Sequence, residues 1–233
     1  MRGSRGLALV AVGLSLALAL VVAGCGAPAT FDGGAPKDTP KPTPLAPNEV
    51  RDYRGAKLSS LDDFRENSIK GPQQVNKASY RLRVTGLVDT PLSLTYEEVV
   101  ALPAYQKVIE LNCVEGWSVT ILWEGPRVAD LLDRAGAKSS GKIAIFRAAD
   151  GYSTSLPLDY LRNNDILLAS KMNSVVLPPE RGFPFQLVAE QRWGYKWIKW
   201  VEEIEVSDDI AFRGYWEQRG YSNDGDLQKG FGN

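Results

Sequence analysis

The sequence predicts an α+β domain, a mixed and mostly antiparallel β-sheet with short helices. Three observations lead there. Runs that alternate apolar and polar residues outnumber runs with helical spacing. The helical runs are short and carry their own start and stop residues. An Asp-Gly pair, Asp150-Gly151, separates two strand-like runs, as a hairpin turn requires.

The elements follow in order. In "YRLRVTGLV", Leu82 and Val84 alternate with Arg81 and Arg83, the pattern of a half-buried strand. "LTYEEVVALP" is a short helix, with Thr95 as its cap and Glu98 completing a capping box. "KVIEL" is a strand that delivers Cys113 at its end, into a loop carrying Gly116. "GPRVADLLDRAGA" is a helix with Pro126 near its start and Gly136 as its stop. Val128, Leu131, Leu132 and Ala135 share one face of it. "KIAIFRAADGYSTSLPL" is strand, turn, strand, and "FPFQLVAEQ" and "WVEEIEV" are further strands.

Three segments are expected along the chain: a signal peptide over 1–24, a proline-rich tether over 25–50 and one globular domain over 51–233. Arg2 and Arg5 give a positive start, and Gly6 to Gly24 is a run of apolar and small residues ending in "VVAGC". Small residues directly before Cys25 are what a bacterial lipoprotein signal requires, so Cys25 is the expected lipidated N-terminus. The competing reading is an uncleaved anchor. Either places the body outside the cytoplasm and tethered to a membrane. The stretch "GGAPKDTPKPTPLAPNE" has almost no large apolar residues and reads as an extended spacer.

Composition removes several function classes. The chain of 233 residues has no histidine, which excludes Ser-His-Asp and Cys-His catalysis and histidine-ligated haem or zinc. Its two cysteines cannot form a Cys-rich metal knuckle. A formal charge of −1 opposes nucleic acid as a partner.

Four stretches could carry chemistry. Cys113 stands at a strand end, where a soft thiolate could reach a metal, or a buried thiol could act as a small hydrophobe. "RWGYKWIKW" combines Gly194 with Lys196 and Lys199 and could hold phosphate; on composition it reads rather as an amphipathic strand with solvated lysines and buried tryptophans. "LPPERGFPFQ" is a stiff loop or simply a turn. The pairs "EGW", "WEG" and "YWEQ" set carboxylates beside aromatics, a weak hint of a carbohydrate-active hydrolase.

The segment "ELNCVEGWSVTILWEGPRVADLLDRAG" resembles the cofactor-cysteine segment of the sulfite oxidase superfamily. The likeness is nearest to the bacterial molybdopterin-dependent branch typified by the catalytic subunit of the periplasmic methionine-sulfoxide reductase system. "DGYSTSLPLDYL", "LPPERGFPFQLV", "GYKWIKWVEEIEV" and "GYWEQRGYS" follow in the same order, and "FRENSIKGP" precedes them. The resemblance covers roughly Phe64 to Ser222 and implies the sulfite oxidase molybdopterin-binding fold. It implies that Cys113 ligates molybdenum beside the dithiolene sulfurs of molybdopterin. It also implies that Asn67, Arg181, Gly194, Tyr195, Lys196 and Lys199 contact the cofactor, the lysines at its phosphate.

Three departures accompany it. Gln186 stands where members usually carry an arginine. Val114, Glu115, Gly116 and Trp117 replace the arginines that help to hold sulfite, and an acidic residue near the metal disfavours that anion. "MRGSRG" lacks the adjacent arginine pair of a twin-arginine signal. The implied function is a membrane-tethered extracytoplasmic oxidoreductase that reduces an oxidised small molecule such as a sulfoxide. Electrons would come from a separate partner, a membrane cytochrome. The alternative is a cofactor-free lipoprotein that uses the same fold as a binding module.

Overall fold

The computed structural model describes residues 48–232, so the expected signal segment, Cys25 and nearly all of the tether lie outside the described residues. A two-residue hairpin, β1 (Asp52–Tyr53) with β2 (Ala56–Lys57), comes first. There follow β3 (Leu82–Gly86), β4 (Leu92–Leu94), α1 (Tyr96–Val100), β5 (Tyr105–Asn112), β6 (Ser118–Gly125) and α2 (Val128–Ala135). The second half holds β7 (Ile143–Ala148), β8 (Ser153–Pro157), α3 (Leu158–Asn163), β9 (Leu167–Ala169), β10 (Lys171–Met172), β11 (Val175–Val176), β12 (Gln186–Val188) and β13 (Val201–Ser207). Among the described residues no helix is long and apolar enough to cross a membrane.

Two larger sheets carry the domain, one of five strands in the order β4-β3-β13-β7-β8 and one of four in the order β11-β10-β6-β5. Among the described strands only the β13–β3 pairing is parallel; the other strand pairings are antiparallel. The sheet is therefore mixed and mostly antiparallel with short helices, as the alternating pattern implies.

Local chemistry explains the elements that match expectation. On β3, Leu82 and Val84 are buried and Arg83 is exposed, so the two-residue period lies across the sheet face. Thr95 Oγ1 accepts from Glu98 N at 3.1 Å while Glu98 returns a bond to Thr95 N at 2.8 Å, closing the capping box of α1. α2 buries Val128, Leu131, Leu132 and Ala135 and ends at Gly136, whose φ of 66° is left-handed.

Several elements depart from the sequence reading. The sequence reading assigns no element to Ser118–Gly125, yet as β6 it pairs with β5 along its whole length. Val119, Ile121 and Trp123 are buried on one face, while Leu122, buried on the other face between the partly exposed Thr120 and Glu124, interrupts the alternation that would mark a strand. α3 starts directly after Pro157, which supplies the fixed φ of a helix entrance, and buries Leu158, Tyr160 and Leu161. "RWGYKWIKW" forms no strand; its Gly194–Lys196 is a single 3-10 turn.

Candidate active site

The β5–β6 hairpin places Cys113. Its strands stay in register up to Asn112 opposite Ser118, and the tip is then closed by Cys113 N donating to Trp117 O at 2.9 Å. Gly116 turns that tip with φ +82°. Cys113 is only 8% exposed, yet its side chain lines a cavity of about 250 Å³. Burial pushes its thiol up from the ordinary range, and the neighbouring Glu115 charge adds to that.

The Gly194–Lys196 turn lies against the same hairpin end. A Cβ built on Gly194 would stand 3.3 Å from both Asn112 O and Cys113 Cα, so glycine permits this close approach. Gly194 and Tyr195 line the cavity. Tyr195 donates its hydroxyl to Ser222 O at 2.7 Å, its own carbonyl accepts from Tyr152 OH, and burial raises its pKa.

The other expected contacts are distributed around the cavity. Asn67 lines it, with its amide donating to Glu115 Oε1 at 3.0 Å; Glu115 Oε2 accepts from Trp117 Nε1 at 3.2 Å. Arg181 stacks over Phe64 at 4.9 Å and donates to Phe64 O at 3.2 Å. Lys199 lies over Trp200 at 4.4 Å and pairs with Glu66 at 2.9 Å. Burial lowers the pKa of both cations, because a poorly hydrated wall disfavours their charged forms. Gln186 is buried in the same wall.

Lys196 is placed differently. It is wholly buried, it is not among the cavity-lining residues, and its ammonium meets the equally buried Glu217 carboxylate at 2.5 Å. Thr154 Oγ1 donates to the same Glu217 oxygen at 2.7 Å.

Sequence reasoning missed several lining residues: Ser68, Asp150, Tyr152, Trp216 and Tyr221. The signal for the last two was present in "GYWEQRGYS", which was read as a family marker without assigning those side chains to the cavity. Asp150 lies in the Asp-Gly turn, where the hairpin role hid any other. Three cations, Arg65, Arg181 and Lys199, and two carboxylates, Glu115 and Asp150, thus share a cavity that aromatic, aliphatic and neutral polar side chains also line.

Comparison with known proteins fits this geometry. The oxidoreductase molybdopterin binding domain matches residues 69–216, more than half of the chain. An uncharacterized oxidoreductase of Bacillus subtilis, YuiH, is 36% identical over 156 residues, covering 66% of this chain and 78% of its own length. The protein-methionine-sulfoxide reductase catalytic subunit MsrP of Campylobacter jejuni is 25% identical over 182 residues, covering 71% of this chain and 59% of its own. Among solved structures, the sulfane dehydrogenase SoxCD of Paracoccus pantotrophus superposes with a TM-score of 0.58 at 27% identity, over 60% of this chain and 41% of that one. The chain therefore spans less than two thirds of some relatives it matches. It belongs to the molybdopterin-binding oxidoreductase family, whose members related to it are enzymes.

The cavity's own chemistry is compatible with such a cofactor. Ser68 Oγ and Arg181 Nε are buried in its wall without a hydrogen-bond partner, which suits a ligand rich in acceptors. Among the described residues no group of three or more His, Cys, Asp or Glu side chains is placed to hold a metal ion.

Proposed function

We propose that this chain is an extracytoplasmic, lipid-tethered reductase of small oxidised molecules such as sulfoxides, with Cys113 as the protein ligand to molybdenum. The observation that carries the reading is Cys113 at the rim of a hairpin, buried in a cavity that also holds Arg181, Lys199 and the Gly194–Tyr195 turn. When bound, molybdenum-molybdopterin supplies oxygen-atom transfer coupled to two-electron redox chemistry.

The chain's own residues do the rest. Cys113 offers a soft sulfur donor on a rigid strand end. Arg181 and Lys199 bring positive charge to a poorly hydrated wall, where a phosphate is held by charge-assisted bonds. Asn67 and Trp117 fix the Glu115 carboxylate two residues beyond the cysteine, which repels anionic substrates and tolerates neutral ones. Phe64 and Trp117, packed edge to face at 6.0 Å, exclude water from the approach. The relative named as a reductase catalytic subunit supports a separate electron-transfer partner, a membrane cytochrome by the sequence reading. Cys25 is the proposed lipid attachment point.

Metal and pterin analysis of the full chain, made in a host that synthesises molybdopterin, tests the core of this reading. About one molybdenum per chain is expected, with a molybdenum(V) resonance that changes in Cys113→Ser while the fold persists. Well-folded protein devoid of metal and pterin would transfer the reading to the binding-module alternative. An unchanged resonance in Cys113→Ser would make that thiol purely structural. Fatty-acid labelling that survives Cys25→Ser would refute the lipid tether.

A further inference from the structure

The C-terminal segment from Gly214 to Gly232 is a strap with almost no regular structure beyond the 3-10 turn Glu217–Arg219. It is nevertheless fastened closely to the segment that carries the Gly194–Lys196 turn. Trp193 N donates to Gly225 O at 2.8 Å and Leu227 N to Gln191 O at 3.1 Å. Arg192 pairs with Asp226 at 3.1 Å. At the strap's other end, Tyr215 N donates to Ser153 O at 2.9 Å.

Between these fastenings lies the wholly buried Lys196–Glu217 pair. Trp216, the residue before Glu217, lines the cavity, and so does Tyr221, whose ring centre is 5.1 Å from that of Trp216. Gly225 lets the strap settle onto the lysine stem: a Cβ there would stand 2.6 Å from Lys196 Cγ, and its φ is +65°. A buried pair of this kind is unforgiving, because loss of either partner leaves the other charge without water or counterion.

We infer that Glu217 is a positioning residue that clamps the strap through Lys196, so that Trp216 and Tyr221 stand as one wall of the cofactor cavity. Lys196 serves that clamp, and contact with the cofactor's anionic group falls to Arg181 and Lys199. This inference rests on the proposed cofactor site and revises the role expected of Lys196. Its physical basis is that the Lys196 ammonium already has a full counter-charge at 2.5 Å and no exposure.

The test uses the full chain prepared without cofactor and with it. In cofactor-free protein, two readings are taken: iodoacetamide labelling of Cys113, resolved by peptide mass spectrometry, and trypsin cleavage after Arg213 and Arg219. Glu217→Gln is expected to raise both rates about tenfold or more with the far-ultraviolet circular dichroism unchanged. The double variant Lys196→Met, Glu217→Met replaces the pair with apolar side chains of similar length. It is expected to return both rates to within about twofold of the original. In loaded protein, the same double variant should retain molybdenum and pterin.

Unchanged labelling and cleavage in Glu217→Gln would overturn the clamp. A double variant that closes the strap but loses the pterin would show Lys196 contacting the cofactor directly, overturning its assignment here. If Glu217→Gln does not fold, Thr154→Val weakens the same carboxylate's bonding more gently. It should raise strap cleavage about fivefold, and no rise would sink the proposal. If the unmodified chain takes up no pterin, the functional reading fails while the cleavage and labelling rates still decide the clamp.

Discussion

Two walls of one cavity are built on opposite principles. The β5–β6 wall, which carries Cys113, is held by a continuous antiparallel ladder backed by Leu111, Val119, Ile121 and Trp123 in the core. The strap wall, which carries Trp216 and Tyr221, has scarcely any ladder and is held by individual fastenings between distant residues. The first wall shares its stability with the whole domain. The second depends on a few contacts, each of which can be removed separately, so the two should fail independently.

The largest expected effect lies in the first wall. Trp123 is fully buried between Trp197, at 5.6 Å between ring centres, and Phe64, at 6.3 Å. Trp123→Ala should cost about 3–5 kcal/mol of global stability, read as a lower urea midpoint. Where the core is still folded, strap cleavage should keep the rate of the unmodified chain. A strap that opened faster in this variant while the core is intact would break the comparison.

Next in size is Gly225→Ala in the strap. The added methyl meets the Lys196 stem in a left-handed backbone conformation. The combined strain should amount to about 1–3 kcal/mol. It should appear locally, as faster hydrogen exchange at Trp193 and Leu227 with the β5–β6 amides unchanged. Equal acceleration in both regions would show that the walls form one cooperative unit.

The smallest effect concerns the outer fastening. Asp226 is held below the ordinary carboxylate range by a backbone bond from Gln228 and by Arg192. The folded state therefore binds fewer protons than the unfolded state between the two values. The contribution is present above the ordinary carboxylate value of 3.8 and is lost as pH falls through the lower folded one. Asp226→Asn should remove about 0.2–1 kcal/mol at neutral pH, the range for a partly exposed pair. It should also flatten the acid limb of strap opening measured by cleavage with an acid-active protease. An unaltered acid limb would assign that limb to other carboxylates.

The contrast between the walls also explains what the sequence disclosed. α2 was legible because Val128, Leu131, Leu132 and Ala135 repeat with the helix, and α1 because a capping box is local in sequence. Cys113 was legible through its position at the end of an apolar run and through family resemblance. β6 was not, because Leu122 joins Ile121 and Trp123 into an unbroken apolar run that hides the alternation on either side of it. The partners of the expected site residues were also hidden. Asn67 reaches Glu115 across 48 residues, and Lys196 reaches Glu217 across 21. Nothing in "GYKWIK" distinguishes a solvated lysine from a wholly buried one, since the difference lies in a carboxylate elsewhere in the chain.

The strap's place in the chain sets an order of assembly. Every other lining residue of the cavity falls between Phe64 and Trp200, whereas Trp216 and Tyr221 come after them. During synthesis the side of the cavity that they form is therefore the last to leave the ribosome. A nascent chain that has already folded its sheets still presents an open cleft at Cys113. The cavity gains its final wall only when the ribosome has released the segment that clamps it.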